Sequence, residues 1–459
     1  MSWQETHADK LMTTAEAAQL IQAGDTIWSS IGGDAASMMP PALARVIELG
    51  MDVKIVACSP TAAQEWFFDD YASMGFDLAA QIYAGPSARI ALAGHRADWY
   101  PNLFSNSFNV WDHRQDQLPR MDVFMTSVTP PDADGYVTFG GQPWQKGEFA
   151  RRARTTIMEV LPWYPNVPTT ERLHLSEITA LVETELTEDP TIARLAAFPG
   201  PTPEIEPVAG WVRDIVQDGD TIQIGAGRTT NSLAVVGAFE GKRDLGWHSE
   251  ITPRGIIGLM MDGTINSSRK TYDVGLHVAT TINARTPEEF DWLDNDPPVE
   301  TRAVTSVNHI LNIGRHERMT AINNAFQVDL TAQVAAESRG DRIYNGTGGQ
   351  PEFHIGAAIA PGGKAITVLP STAAGGTISR IVAHISDGSY ITVPRHFADH
   401  VVTEFGIARL GGKSERQRAE ELIAIAHPDF QSELRHAARR TFYPPVPDDD
   451  AIDDEVSGG

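Results

Sequence analysis

The sequence predicts an α/β protein with mainly parallel strands. Short apolar runs alternate with amphipathic segments along most of the 459 residues, as expected where helices cross between parallel strands. A helix-turn-strand pattern also occurs twice, as AAQLIQAGDTIWSSIGG and as VAGWVRDIVQDGDTIQIGAG. This repetition indicates two structurally related α/β halves.

The first elements are delimited by helix-end signals. Residues 10–25 form an amphipathic pattern, with Thr13 or Thr14 at the N-cap position and Gly24 beyond the last turn. A buried strand is expected to follow in TIWSS. Residues 39–50 predict the next helix, because a proline pair begins it and a glycine ends it. VKIVACSP then predicts the second strand.

Later elements continue this alternation up to a linker. MDVFMTSVTP and TTIMEVL predict strands, and a helix is expected between them at 144–155. The proline-rich segment 199–207 predicts a boundary between an N-terminal α/β domain at 1–200 and a C-terminal one at 208–443. The acidic tail, 444–459, has the composition of a disordered segment.

Composition and charge exclude several classes of protein. No run approaches 18 apolar residues, so no transmembrane helix is expected, and the N-terminus lacks the features of a secretory signal. Cys58 is the single cysteine, which rules out an internal disulfide and fits a cytoplasmic protein. The net charge of −24 repels nucleic acid and anionic membranes, so neither is an expected partner.

Two segments of the second half contain candidate site residues. IQIGAGRTTNSL, at 222–233, predicts a strand, a glycine turn and a helix. Such a turn either offers backbone N–H groups to an anion or is simply a tight turn. DLGWHSE ends at Glu250. From the residues alone, Glu250 is a nucleophile, a base or a solvated surface acid, and His248 is a structural histidine by default.

A third segment is rich in glycine. Pairs at 348–349, 362–363 and 375–376 allow a ligand to approach the backbone closely, although loops between short strands also need glycine. Lys364 and Arg380 stand nearby, where they either meet phosphates or pair with surface acids.

A fourth segment, residues 400–430, is interpreted as structural, because Ser414 and Gln417 fit a capping box. The sequence contains no HExxH, CxxC pair, Walker A or GxSxG motif, so metal and serine-hydrolase functions lack their usual residues and no metal ligand is predicted. A dinucleotide-dependent reductase is disfavoured because the glycine turn lacks the full GxGxxG pattern.

These four segments, in this order, resemble the acetyl-CoA hydrolase/transferase family over roughly residues 15–440. The family includes 4-hydroxybutyrate and succinyl-CoA:acetate CoA-transferases. The resemblance rests on an ordered set of segments: VTPPDADGYVTFG, IQIGAG, LGWHSE, AINNAFQVDLTAQV, NGTGGQPEF, SRIVAHI, VVTEFGIARLGGKS and LIAIAHPDF.

The resemblance implies a fold and a site. It implies two related open α/β domains of the NagB/RpiA/CoA-transferase-like type, with the active site in the cleft between them. It places the family's nucleophilic glutamate on Glu250 and an asparagine that helps bind the reacting carbonyl oxygen on Asn323. The predicted CoA-contacting residues are Gly225, Ala226, Gly227, Arg228, Thr229, Gly348, Gly349, Gly375 and Lys364.

The resemblance also implies an activity. CoA would pass from an acyl-CoA to a small carboxylic acid by a ping-pong mechanism through a glutamyl-CoA thioester, with CoA as a cosubstrate and no permanently bound cofactor. Homodimers are common among such proteins. An acyl-CoA hydrolase that uses the same glutamate is the alternative, followed by a non-catalytic CoA-binding protein.

The sequence departs from the family pattern around the expected acyl pocket. Pro253 and Arg254 follow the glutamate where relatives often have methionine and then an Asp-Gly pair. Trp163 and Tyr164 replace an asparagine-rich segment, and Arg228 stands where relatives often have a small or apolar residue. These differences bear on the identity of the substrate.

Overall fold

The computed structural model contains two eight-stranded sheets, one after the other along the chain. It describes residues 3–32, 35–58, 77–81, 86–114, 117–118, 120–187 and 200–444. The mixed α/β architecture predicted from the sequence is confirmed. None of the helices in these ranges is both long enough and apolar enough to cross a bilayer.

The first sheet is entirely parallel, in the order β1-β10-β8-β6-β2-β3-β4-β5, and β7 pairs separately with β9. Its strands are β1 Leu11–Met12, β2 Thr26–Ser29, β3 Lys54–Ala57, β4 Asp77–Gln81, β5 Asp98–Tyr100, β6 Val123–Val128, β7 Tyr136–Thr138, β8 Thr155–Val160, β9 Arg172–His174 and β10 Ala180–Glu183. The accompanying helices are α1 Trp3–Thr6, α2 Thr14–Ala18, α3 Met39–Glu48, α4 Pro86–Ala93, α5 Ser107–His113 and α6 Lys146–Arg152.

The second sheet has the order β14-β13-β12-β11-β15-β20-β24-β25, and only the edge strand β25 is antiparallel. Its strands are β11 Thr221–Ile224, β12 Gly246–Ser249, β13 His277–Ala279, β14 Val299–Thr301, β15 Met319–Asn324, β20 Lys364–Val368, β24 His400–Thr403 and β25 Gly406–Arg409. Short strands outside it are β16 Gln327–Asp329, β17 Val334–Ala335, β18 Ser338–Arg339, β19 Arg342–Ile343, β21 Thr372–Ala373, β22 Ile378–Ser379 and β23 Ile381–Val382.

Eight α-helices accompany the second sheet in the described part of the chain. They are α7 Ile205–Ile215, α8 Ile256–Met261, α9 Pro287–Asp294, α10 Val304–Val307, α11 Ile310–Gly314, α12 Gln350–Ile359, α13 Glu415–Ala424 and α14 Pro428–Phe442. Buried residues of α7 recur at helical spacing, as its sequence pattern requires: Ile205, Val208, Ala209, Val212 and Ile215.

The repeated GDTI segments occupy equivalent places in the two sheets. Each leads into the central strand, β2 or β11, and that strand has the matching position in both strand orders. Gly24 and Gly219 both have φ +79°, a conformation that glycine adopts without strain. Asp25 and Asp220 are both buried, and each accepts a hydrogen bond from the backbone N–H three residues earlier, at 2.8 and 2.9 Å. The internal similarity is therefore structural.

Several predicted element boundaries differ from the structure. The helix expected at 10–25 is only α2, Thr14–Ala18, although Thr13 and Glu16 form a capping box at its start. The helix expected at 144–155 is α6, Lys146–Arg152. The end of the predicted linker is already helical, because α7 begins at Ile205. The capping box at Ser414 is confirmed.

Two predictions concern the chain outside or between these elements. The acidic tail predicted at 444–459 lies outside the described residues from 445 onward. The domain boundaries at 200 and 208 stay predictions, and residues 188–199, which precede them, also lie outside the described part.

Candidate active site

The carboxyl edges of the two sheets face each other. The Ile282 N–H, just after β13, donates to the carbonyl of Gly141 at 2.8 Å, and the Val304 N–H, just after β14, donates to the carbonyl of Trp144 at 2.9 Å. Gly141 has no room for a side chain, since an added Cβ would lie 2.0 Å from the Ile282 carbonyl oxygen. Ligands of open α/β sheets bind at such carboxyl edges, so this junction is the candidate site.

Glu250 is the first residue after β12 and lies at this junction. The Ser249 hydroxyl fastens the end of β12 to β11, because it accepts from the Ile224 N–H at 3.3 Å. The Glu250 carbonyl accepts from the Thr281 N–H at 2.9 Å. Both contacts fix the backbone from which the Glu250 side chain projects.

The carboxyl group of Glu250 is partly buried and held by two donors. The Asn308 side-chain amide donates to Oε2 at 2.7 Å, and the backbone N–H of Gly349 also donates to the carboxylate. Burial raises the pKa of Glu250 to about 7, and the nearby negative charge of Glu352 raises it further against the two hydrogen bonds. A carboxyl group with this pKa is both more basic than usual and partly protonated near neutral pH.

Gly349 lets the start of α12 approach Glu250 closely. A Cβ at this position would lie 2.2 Å from Glu250 Oε2 and 2.3 Å from Asn308 Nδ2. The backbone of Gly349 has φ −85°, which any L-residue can adopt. Glycine is therefore required here for the close approach and not for the backbone conformation. The helix N-terminus also favours negative charge on the Glu250 carboxylate.

A second carboxylate shares the donor of the first. Asn308 Nδ2 lies 3.0 Å from Glu352 Oε2, and the Ser105 N–H donates to Glu352 Oε1 at 2.7 Å. Glu352 is buried, and this burial raises its pKa to about 6. Sequence reasoning missed Glu352 and Asn308. Glu352 falls in the quoted segment NGTGGQPEF, whereas nothing in the sequence singles out Asn308.

A small apolar cluster borders Glu250 from the first sheet. Cys58, which follows β3, packs with Phe104, Trp144 and Val304, and Ile251 packs against them. Burial raises the pKa of the Cys58 thiol, and the negative charge of Glu250 raises it further, so the thiol stays protonated. The cluster supplies the low-dielectric surroundings that shift the Glu250 pKa.

The predicted glycine turn follows β11 at the same edge. The Thr230 hydroxyl donates to the Gly225 carbonyl at 2.6 Å. The Asn324 side-chain amide donates to the Ala226 carbonyl at 2.9 Å and to the Thr230 hydroxyl at 2.8 Å. Ala226 and Arg228 are exposed. Across the described ranges, the N–H groups of Ala226 and Gly227 donate to no protein atom, so they are available to a ligand.

Asn323 lies beside the glycine turn, with its side chain bonded to the neighbouring strand. It is buried at the end of β15, and its amide exchanges two hydrogen bonds with Gln223 of β11, at 3.0 and 3.1 Å. A Cβ at Gly225 would lie 2.1 Å from Asn323 Oδ1, so the pair lies directly below the glycine turn. The amide of Asn323 is therefore committed mainly to holding two strands together.

The remaining predicted residues fall in four places. Gly348 is next to Gly349 at the start of α12, and Gly375 lies exposed in the turn between β21 and β22. Lys364 is at the first position of β20, the edge opposite to Glu250, where its ammonium pairs with buried Asp220 at 2.7 Å. Lys364 is not brought together with the other predicted residues. Thr229, by contrast, is buried within the glycine turn.

The residues that depart from the family pattern lie near the facing edges. Trp163 and Tyr164 follow β8, and Tyr164 packs against Gly140, where an added Cβ would lie 3.0 Å from its ring. Arg254 is exposed just before α8.

One cluster in the described ranges has a donor set of the metal-binding kind. Ring nitrogens of His248 and His316 and a carboxylate oxygen of Asp273 lie within 4.8 Å of one another. Burial lowers the pKa of His248 to about 3 and of His316 to about 2, so both rings are neutral. Arg302 donates to both oxygens of Asp273, at 2.8 and 3.0 Å, and this charge opposes a cation there.

Two family profiles match the chain. The acetyl-CoA hydrolase/transferase N-terminal domain matches residues 1–222, and the acetyl-CoA hydrolase/transferase C-terminal domain matches residues 286–438. The chain belongs to the acetyl-CoA hydrolase/transferase family. Enzymes of this family are CoA-transferases together with some acetyl-CoA hydrolases.

Full-length family relatives support this assignment. The chain is 34% identical to the succinyl-CoA:cyclohexane-1-carboxylate CoA transferase of Geobacter metallireducens, over 96% of this chain and 97% of the relative. It is 32% identical to the 4-hydroxybutyrate coenzyme A transferase of Clostridium kluyveri, over 96% and 100%. The crystal structure of RipA from Yersinia pestis superposes with a TM-score of 0.83 at 28% identity, over 96% of this chain and 99% of that one.

Proposed function

We propose that this protein is a CoA-transferase that moves CoA between an acyl-CoA and a small carboxylic acid, with Glu250 as the nucleophile. One observation carries the proposal. The Glu250 carboxyl group lies where the carboxyl edges of the two sheets meet, and the Asn308 amide and the Gly349 N–H hold it there. The relatives named above, which act on CoA esters, support the same reaction class.

The environment of Glu250 suits a carboxylate nucleophile. An ordinary carboxylate is a weak nucleophile, because it is weakly basic and strongly hydrated. Burial removes part of that hydration and raises the Glu250 pKa to about 7. About half of the molecules then still have the reactive anion at pH 7, and that anion is more basic than one in water.

The reaction proceeds in two half-reactions, and the second reverses the steps of the first. The Glu250 carboxylate adds to the acyl-CoA carbonyl carbon, and the C–S bond breaks to give an acyl-glutamyl anhydride and CoA thiolate. The thiolate adds to the glutamyl carbonyl carbon, and the C–O bond of the anhydride breaks to release the first acid as its carboxylate. The resulting glutamyl-CoA thioester reacts with the acceptor carboxylate by the reverse steps.

Each addition creates an oxyanion that requires hydrogen-bond donors. The glycine turn at 225–229 offers the N–H groups of Ala226 and Gly227, which have no protein acceptor within the described ranges. Loss of one such donor costs on the order of 3–4 kcal/mol in other enzymes. The Asn323 amide remains a proposed donor only through the N–H that Gln223 does not use.

The rest of the proposed CoA site follows from the same placement. The exposed guanidinium of Arg228 suits a phosphate of CoA. Gly348 lies just before α12, and Gly375 lies in the turn between β21 and β22, after the carboxyl end of β20. Lys364 is not part of the proposed site, because Asp220 holds it at the opposite edge.

The covalent intermediate provides the test. Purified protein is incubated with acetyl-CoA, and with a longer acyl-CoA in parallel, without an acceptor. Intact-mass and peptide mass spectrometry should find CoA, less one water, attached to the peptide that contains Glu250. Adding a panel of carboxylates should discharge the adduct, and the fastest acceptor identifies the second substrate.

Two variants control this experiment. Glu250→Gln should form no adduct and yet bind CoA, whereas Glu240→Gln changes an exposed surface glutamate and should behave as the unmodified protein. Release of free CoA without an adduct and without need for a carboxylate would favour a hydrolase that uses the same glutamate. CoA binding with neither adduct nor turnover would leave a non-catalytic CoA-binding protein.

A further inference from the structure

We infer that Glu352 is a positioning residue, which fixes the Asn308 amide against Glu250 and connects it to the Ser105 backbone of the first sheet's half. The inference rests on the proposed function of Glu250. Glu352 itself does not touch the reacting atoms in this arrangement. It acts through Asn308, whose Nδ2 atom lies 2.7 Å from Glu250 Oε2 and 3.0 Å from Glu352 Oε2.

The orientation of Asn308 depends on these two contacts. Asn308 is completely buried, and its Oδ1 atom has no hydrogen-bond partner in the part of the chain that the structure describes. A buried amide is normally fixed through both of its ends. Here only Nδ2 is bonded, so loss of Glu352 would leave Glu250 as the single group that aligns the Asn308 side chain.

The Glu352 side chain does not cap the helix on which it lies. It is the third residue of α12, where a glutamate often reaches back to the N-cap backbone to complete a capping box. Its carboxylate oxygens instead accept hydrogen bonds from the Ser105 N–H, across the junction, and from the Asn308 side-chain amide. The side chain therefore joins three separate segments: the loop after β5, the end of α10 and the start of α12.

The charge of Glu352 also acts on the nucleophile. It is the charged side chain whose field raises the Glu250 pKa, and the other contributions come from burial, the Asn308 amide and the Gly349 N–H. Among the described residues, the Cys58 thiol also interacts with Glu250, and burial keeps this thiol protonated. A neutral residue at 352 must therefore lower the Glu250 pKa, an effect that a purely structural residue would not have.

Two substitutions at position 352 separate orientation from charge. Glu352→Gln keeps the size of the side chain, but one end now donates, so it can no longer accept from both Ser105 and Asn308. We expect kcat to fall at least tenfold, the KM for acyl-CoA to stay within twofold, and the acid limb of kcat/KM to move to lower pH. Glu352→Asp keeps the charge but shortens the reach, so kcat should fall while the acid limb stays in place.

A double-mutant cycle tests the route through Asn308. Asn308→Ala should reduce kcat by itself, and adding Glu352→Gln to it should reduce kcat by less than twofold more when both are measured above the acid limb, where the charge of residue 352 no longer changes the ionised fraction of Glu250 and both changes remove one interaction. The same cycle with Glu352→Asp decides the question if the glutamine variant does not fold. Independent, multiplicative losses would overturn the inference.

The adduct experiment distinguishes this inference from the proposed function. If the unmodified protein forms no CoA adduct on Glu250, the proposed function fails and this inference fails with it. If the unmodified protein forms the adduct and Glu352→Gln forms it at the same rate with an unchanged acid limb, only the role of Glu352 is wrong. Slower adduct formation at equal acyl-CoA binding, together with a shifted limb, is the expected result.

Discussion

A Cβ added to Gly349 would lie 2.2 Å from Glu250 Oε2, so the start of α12 and the nucleophile fit together only if residue 349 is glycine. The backbone conformation, at φ −85°, is open to any L-residue. Replacing Gly349 should therefore disturb the carboxylate and not the local fold.

Gly349→Ala should reduce kcat/KM by about 100-fold or more, because displacement of a reacting group by about 1 Å has an effect of that size. Its melting temperature should change little. Gly210→Ala is the control, since an added Cβ meets nothing within 4 Å at that helical position. Steady-state kinetics and thermal melts of both variants check the prediction, and near-normal activity of Gly349→Ala contradicts the geometry.

The raised pKa of Glu250 predicts an acid limb in the pH profile. The carboxylate is the nucleophile, and its pKa is about 7, so activity should be complete above this value and fall about tenfold per pH unit well below it. The profile of kcat/KM between pH 5.5 and 9 measures this. An acceptor acid remains ionised over this range, so it does not produce the limb. A flat profile down to pH 5.5 would show that Glu250 has an ordinary pKa.

The features of the fold that were predictable are local. The repeated GDTI turn needs glycine at φ +79° and an aspartate that accepts from the preceding turn, and both requirements are visible in the sequence around Gly24 and Gly219. The capping boxes at Thr13 and Ser414 are equally local. Helix lengths were less predictable, because packing against the sheet, rather than propensity, decides where a helix such as α2 ends.

The candidate site was only partly predictable for a related reason. Glu250, Asn308 and Glu352 belong to segments that are far apart in sequence, and their contacts arise only when the end of β12, the end of α10 and the start of α12 pack together. Lys364 illustrates the opposite difficulty. It stands beside a glycine pair in sequence, but it begins β20, and a residue at the start of a parallel strand lies at the far edge from a site at the strand ends.

Glu250 should also reduce stability at alkaline pH. Its folded-state pKa, about 7, lies above the ordinary value of 4.5. Folding therefore favours the protonated form of Glu250. Below about pH 4.5 this carboxyl group does not lower the free energy of unfolding, and the loss of stability grows as pH rises through 7. Glu250→Gln should stabilise the protein on the order of 1–3 kcal/mol at pH 8 and much less at pH 5. Thermal melts at both pH values test this, with Glu240→Gln as the exposed control. Equal shifts at the two pH values would argue against the buried charge.

Lys364 and Arg228 should give opposite results when each is neutralised. Lys364→Met leaves the buried Asp220 carboxylate with Arg318 at 3.0 Å and Thr320 at 3.2 Å, so the loss of stability should be about 1–3 kcal/mol and not larger. Because Lys364 lies at the edge opposite to Glu250, the KM for acyl-CoA should not change. Arg228→Ala removes an exposed cation beside the glycine turn, and it should raise that KM several-fold with an unchanged melting temperature. Melts and kinetics on the two variants decide the matter, and a raised KM in Lys364→Met would return this lysine to the CoA site.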